Sequence, residues 1–392
     1  MIKLLKTFFA LFSPYACKQE KQLYRVISKK NINKARLLEL MQENVVVVSL
    51  FLEKYSRGYK NLRKFKRQKA YKNLERLKTL FLEEAKLQKC NTKDQLAVLK
   101  MIKYFLHDQK RYVYKESTFL GGLLVDSNKQ KLVGDCNQIV TLYVYFFSLF
   151  FDIEDLKIKM PTGHVLLSWN GFDIETTTGA MSSASKQKHY EILELLAVNL
   201  LDISDENQQT HALKAKAMLK MAKLAYSISS NKQIVVKNLR AAQHNLALEY
   251  LTKYKFKAAL AIWTQLADSK HIAICRTKAV SYYVDNHKFA KALKFSNRDK
   301  QLVVYTEKKQ IQYLISKSRL KKALKIAEAG SYIDLKQFIL TKMFNELAAQ
   351  LPSRLDSQSV ADHKGTIKQM LRLALQMHDS KLTQHCKKLL DL

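Results

Sequence analysis

Glycine placement constrains this chain more than any other feature. Nine Gly and three Pro serve 392 residues, and six of the nine Gly fall between Gly121 and Gly179. Turn chemistry is therefore concentrated in one region, and Gly-poor, Pro-poor helix fills most of the remainder. A chain of this length exceeds the usual size of a single core, so two or three domains are expected.

Charge divides the chain in the same way. Residues 1–100 carry 24 Lys and Arg against 8 Asp and Glu, residues 101–200 carry 10 against 11, and residues 201–392 carry 34 against 15. A near-neutral block thus lies between two basic flanks, and the chain's net +34 charge favours anionic partners such as nucleic acid or acidic lipid. A Lys-rich composition with no such partner gives the same bias. The five cysteines, Cys17, Cys90, Cys136, Cys275 and Cys386, follow no disulfide framework and suit a reduced, cytoplasmic protein. The longest apolar run, Leu142 to Phe151, is about half of a membrane span.

At the N-terminus, lysines precede an apolar stretch that ends in Ala16-Cys17, as in a lipoprotein leader. Lys6 interrupts the stretch, and Pro14 and Tyr15 stand before the junction, which favours an amphipathic helix docking Ile2, Leu5, Phe9 and Phe12. From Asn31 to Lys89 the pattern is helical with one break near Gly58. Lys60, Arg63, Lys64, Lys66, Arg67, Lys69 and Lys72, interleaved with Tyr59, Phe65 and Tyr71, suit either a nucleic-acid grip or a solvated helix face. A helix capped by Asn91 or Thr92 follows, then a short strand at Tyr112 to Tyr114, then a loop through Gly121, Gly122 and Asp126 to Lys129.

Gly134-Asp135 turns into an apolar helix that Cys136 opens. A thiol there sits beside unpaired backbone N–H groups and the positive end of the helix dipole, which favour the thiolate; the alternative is one more small buried residue. Asn170-Gly171 joins the strands Gly163 to Trp169 and Phe172 to Thr177 in a two-residue hairpin. Its register sets Trp169 opposite Phe172 and Ser168 opposite Asp173. Glu175 is then the diagonal neighbour of His164, with Asp173 one step further as the alternative acid.

These residues resemble a known family. Gly-Asp-Cys opening an apolar helix, Gly-His opening a strand, and Asp-Ile-Glu-Thr-Thr-Thr-Gly after a hairpin are similar to the transglutaminase-like fold of papain-type cysteine enzymes. The resemblance covers residues 95–200 and implies a Cys136, His164, Glu175 triad acting on a protein or peptide substrate, with no cofactor and no metal. It also implies an oxyanion donor upstream of the cysteine, for which Gln130 is the candidate. The family's usual acid is Asp, and the Cys136-to-His164 interval of 28 residues is short for it.

Beyond Lys186 the chain reads as helical, and a repeat emerges in Leu248 to Leu260, Ser281 to Leu293 and Gln312 to Leu324. Phe256, Phe289 and Leu320 recur at spacings of 33 and 31 residues, as do Ala259, Ala292 and Ala323. Such a period resembles degenerate tetratricopeptide repeats, which implies a groove for a protein segment, here an acidic one. His378, His385 and Cys386 share a helical face without completing a metal site.

The expected architecture is a multidomain α+β protein, mostly helical: a basic helical region (1–94), a small transglutaminase-like α+β domain (95–200), tetratricopeptide-like helical repeats (201–350) and C-terminal helices (351–392). A transglutaminase-like module joined to such repeats is similar to a bacterial family of regulators, many of which lack the cysteine that this chain keeps. Two functions follow from this reading: a cysteine-dependent acyl-transfer or amide-hydrolysing enzyme, and a non-catalytic adaptor binding acidic proteins or nucleic acid.

Overall fold

The computed structural model describes residues 13–29, 31–56, 63–116, 120–201, 214–297, 299–353 and 357–391. The expected docking helix (Ile2 to Phe12), the break near Gly58, and Tyr59 and Lys60 lie outside these residues. The protein is mostly helical with a small sheet region. Its backbone contacts group into two compact units, residues 1–249 and 250–392.

In the first unit, α1 (Lys18–Ile27), α2 (Lys34–Ser56), α3 (Lys64–Leu87) and α4 (Gln95–Lys103) precede the sheet region. Their apolar faces do not form a core of their own. Leu23, Leu40, Leu74 and Phe81 belong to one buried cluster with Ile102, Ile139, Phe146 and Leu167. The basic segment expected to grip nucleic acid or face solvent divides accordingly. Arg67 is fully buried and donates to fully buried Glu20 at 2.6 Å, and the Tyr71 hydroxyl donates to the same carboxylate at 2.7 Å. Phe65 remains exposed. A buried pair of this kind fixes α1 against α3, because removing either charge strands the other. The cap of α4 is Asp94, whose side chain accepts from the Leu96 amide, rather than Asn91 or Thr92.

The α4 helix widens into one π turn at Tyr104–Asp108, after which β1 (Tyr112–Tyr114) pairs in parallel with β2 (Leu132–Gly134). Between them Leu120–Leu123 forms a single helical turn where sequence suggested only loop. Helix α5 (Cys136–Phe147) follows, with all but one of its residues buried. A helix buried along nearly its whole circumference needs neighbours on every side. The helices α2, α4 and α6 (Glu194–Leu201) and strand β4 supply them.

The sheet is antiparallel, in the order β6-β5-β4-β3-β7. It comprises β3 (Lys157–Lys159), β4 (Leu166–Trp169), β5 (Phe172–Glu175), β6 (Ala180–Ser183) and β7 (His189–Glu191). The hairpin register is the expected one, Trp169 opposite Phe172 and Ser168 opposite Asp173. Asn170 and Gly171 both take positive φ, as the tight primed turn requires. Strands β3, β6 and β7 of this sheet, and β2 outside it, are additions to the sequence reading, and β7 corrects the expectation of helix beyond Lys186. Strands of three or four residues are too short to show an alternation against helical patterning. The unit continues through α7 (Ala215–Ile228), and α8 (Lys232–Thr252) contains the division.

Among its described residues the second unit holds helices and no strand: α9 (Phe256–Gln265), α10 (Ser269–Asp285), α11 (Phe289–Ser296), α12 (Lys300–Ser316), α13 (Leu320–Ala329), α14 (Ile333–Ala348), α15 (Ser357–Met377) and α16 (Ser380–Leu390). The repeat is structural. Phe256, Phe289 and Leu320 each begin a short helix, and all three are buried, as are Ala259, Ala292 and Ala323 three residues on. The residue two before each of them, Tyr254, His287 and Ser318, takes a left-handed backbone with φ of 55°, 54° and 52°. Two of these side chains stack on a ring from a later helix: Tyr254 on Tyr282 at 4.5 Å and His287 on Tyr313 at 4.2 Å between centroids.

Candidate active site

Strand β2 delivers the chain to the tip of α5 through a capping box. The Asp135 carboxylate accepts from the Asn137 and Gln138 amides at 3.0 and 3.4 Å, and Gln138 Oε1 accepts from the Asp135 amide at 2.9 Å. Gly134 sits close against this cap, since a Cβ there would lie 3.0 Å from Gln138 Oε1 and 3.2 Å from Leu123 Cδ1. Cys136 is the first residue of the helix, not disulfide-bonded and 8% exposed.

His164 follows a turn in which its amide donates to the Pro161 carbonyl at 3.0 Å and Gly163 takes a φ of 73°. It therefore stands just before β4 rather than within it. Its Nε2 lies 2.6 Å from Glu175 Oε2 at the end of β5. Glu175 Oε1 accepts from the amide and hydroxyl of Thr177, so both carboxylate oxygens are committed. Burial works to raise this carboxyl. The Thr177 donors and His164 outweigh it and hold Glu175 below the usual carboxylate range.

Asp173, the alternative acid, goes elsewhere. It is ion-paired with fully buried Lys159 at 2.7 Å and accepts from the Ser185 amide at 2.8 Å. Against its burial, Lys159 first and Ser185 next hold the carboxyl below its usual range. Lys159 is a residue that sequence reading passed over, because a lysine on a three-residue strand looks like surface.

Gln130 is exposed in the turn Asp126–Gln130, where its amide donates to the Asp126 carbonyl. Strand β2 runs between it and Asp135, so Gln130 stands at the other end of that strand from Cys136. The structure does not group it with the other candidates.

The chain matches no family model, no curated protein and no solved structure. The site is therefore read from its own geometry.

Three aromatic residues to which sequence reading assigned no role in the site tie the region together. The Tyr112 hydroxyl donates to the Gly134 carbonyl at 2.8 Å, and burial raises its pKa, with Asp135, Cys136 and Glu175 among the charges that add to the rise. It lies within electrostatic range of both the helix tip and the His164–Glu175 pair. The His107 ring packs against Tyr112 and Tyr143, 5.5 and 6.1 Å between centroids. The His107 ring also lies beneath the turn after β5, where its Cδ2 would be 2.8 Å from a Cβ placed on Gly179. Burial lowers the His107 pKa, so the ring is neutral near pH 7. The turn that carries Glu175 is thus held from below by one imidazole. Only the third dimension brings residue 107 to residues 176 and 179, so no local signal marked it.

Proposed function

We propose that residues 134–179 form a cysteine-dependent acyl-transfer centre of the transglutaminase-like type, within a multidomain α+β chain, acting on the carboxamide or peptide carbonyl of a protein substrate. The observation that carries this reading is the 2.6 Å His164–Glu175 pair, in electrostatic range of the same tyrosine hydroxyl as a cysteine at a capped helix tip. A carboxylate only accepts, so Nε2 carries the proton toward Glu175 and Nδ1 is left as the base. His164 Nδ1 would take the Cys136 proton and the thiolate would add to the carbonyl carbon. As the tetrahedral species collapses, the carbon–nitrogen bond breaks and the imidazolium returns the proton to the departing amine. Water or a second amine would then release the acyl group. The Asn137 and Gln138 amides are held by Asp135, so the oxyanion must draw on other donors.

The test is the pH dependence of Cys136 alkylation by iodoacetamide, read peptide by peptide in a mass spectrometer so that the other four cysteines are scored separately. A rate that rises below the range in which a free thiol ionises, and that loses this limb in His164→Ala, supports a coupled nucleophile. An ordinary thiol profile indifferent to His164 rejects it.

One observation favours the second, adaptor reading. In the second unit a groove of about 910 Å³ has an apolar floor that includes Leu320, Leu324, Met343 and Leu347, and a rim with Arg319, Lys321, Lys322 and Arg372 against the single acid Glu346. That combination suits an acidic amphipathic segment of a partner protein.

A further inference from the structure

A second, smaller groove of about 530 Å³ opens where the β1–β2 ladder begins, at the end away from Cys136. Four of its seven lining residues are cations, Lys110, Arg111, Lys129 and Lys131. The other three are Gln109, Ser127 and Gln130, so nothing acidic and nothing apolar lines it. Exposed lysines alone mean little on a chain with 68 Lys and Arg. Arg111 sets this groove apart.

Its guanidinium is built in rather than free. Nε donates to Gln109 Oε1 at 2.8 Å, and the Phe105 ring lies under the cation at 4.8 Å. Gln109 in turn hydrogen-bonds the Glu84 carboxylate, which also accepts from Gln88. Glu84 thus holds Arg111 through an amide on its Nε side. No acceptor among the described residues takes the Nη groups. The backbone around the groove is equally set. Lys110 takes a φ of 53°, the Arg111 amide donates to the Leu106 carbonyl at 3.1 Å, and the Leu132 amide donates to the Arg111 carbonyl at 2.8 Å, joining the two rims. Asp126, the nearest acid in the chain to Lys129, is paired with Arg76.

A guanidinium with an uncommitted two-nitrogen edge matches a phosphate oxygen pair, and neighbouring ammonium groups neutralise further charge. The volume lies in the range of small-molecule sites. An acidic peptide would also answer to the charge, but peptide grooves grip side chains in apolar pockets, and here there are none. We propose that this groove binds a compact polyanion bearing phosphate groups, one phosphate on the Nη edge of Arg111 and the rest met by Lys110, Lys129 and Lys131. The proposal stands apart from the chemistry of Cys136, and Cys136→Ala is expected to bind unchanged.

The test is calorimetric titration of the full chain with inorganic triphosphate, citrate and a hexaglutamate peptide, each at a fixed salt concentration near physiological. Saturable triphosphate binding is expected, weakened at least tenfold in Arg111→Gln and in Lys129→Ala/Lys131→Ala. The second variant touches only exposed lysines and keeps the test open if the first misfolds. Lys66→Ala/Lys69→Ala, on the exposed face of α3, is expected to bind as the parent does. Absence of saturable binding, or equal losses in the two lysine variants, overturns the proposal in favour of a diffuse positive field. Tighter binding of citrate or hexaglutamate than of triphosphate overturns it in favour of a carboxylate ligand.

Discussion

Asp173 and Glu175 stand two residues apart on β5, and their neighbours give them different work. Glu175 is about a third exposed and bonded to His164; Asp173 is nearly buried and bonded to Lys159. Glu175→Gln is therefore expected to slow Cys136 alkylation at neutral pH at least about tenfold while changing stability by less than about 1 kcal/mol. Asp173→Asn should do the reverse: it leaves the buried Lys159 ammonium without its counter-charge, at a cost of about 3–5 kcal/mol near pH 7. The pH dependence follows from the direction of the shift. The folded-state pKa of Asp173 is depressed, so its stabilisation is present above the unfolded value of about 3.9 and is lost as pH falls through the lower folded value. The gap between the urea unfolding midpoints of the parent and Asp173→Asn should begin to narrow as pH falls below about 4 and close only below the depressed folded-state value; a gap that does not narrow on acidification would reject the ion pair as the cause. Sequence alone ranked these two carboxylates through the Asn170-Gly171 turn, which fixes who faces whom. It was silent on Lys159, because nothing local distinguishes a lysine that points inward.

At the scale of elements, the hairpin and the capped helix were legible because each has a local chemical signature: Asn-Gly for one, Gly-Asp before an apolar run for the other. The strands β3, β6 and β7 were not. Their three or four residues owe their conformation to ladder partners rather than to pattern, and β7 pairs with β3 across some thirty residues of chain. The His107 clamp belongs here too, since it joins the π turn after α4 to the turn after β5. In Gly179→Ala the new methyl would meet Lys103 Cγ at 2.6 Å and His107 Cδ2 at 2.8 Å, at a position whose φ of 76° already favours glycine. A loss of about 1–3 kcal/mol is expected in thermal or urea unfolding. His107→Ala removes the ring from beneath the turn without adding bulk. It is expected to lower Cys136 alkylation several-fold, with a smaller further effect when combined with Glu175→Gln. Strict additivity of the two would show that His107 does not act through the Glu175 turn.

For the whole molecule, no helix among the described residues is long and apolar enough to cross a membrane. The charge is carried by residues 1–100 and 201–392, and the hairpin lies in the near-neutral block between them. If the larger groove takes an acidic segment, a fluorescent amphipathic peptide alternating Leu and Glu turns should bind the chain with an affinity that falls as salt rises, because the rim charges are screened. Lys321→Glu/Lys322→Glu, both exposed, should weaken it at least tenfold; unchanged anisotropy titrations would remove the adaptor reading. The repeat register has a mechanical side as well. Tyr254 and His287 hold a backbone conformation that costs an L-residue about 1–2 kcal/mol, and a glycine would relieve it, yet a glycine has no ring to lay on Tyr282 or Tyr313. The rings are the fastenings between successive helix pairs. Pulled from its ends, residues 250–392 should yield in comparable steps, one ring pair parting at a time, and glycine at either position would make its own junction the first to open.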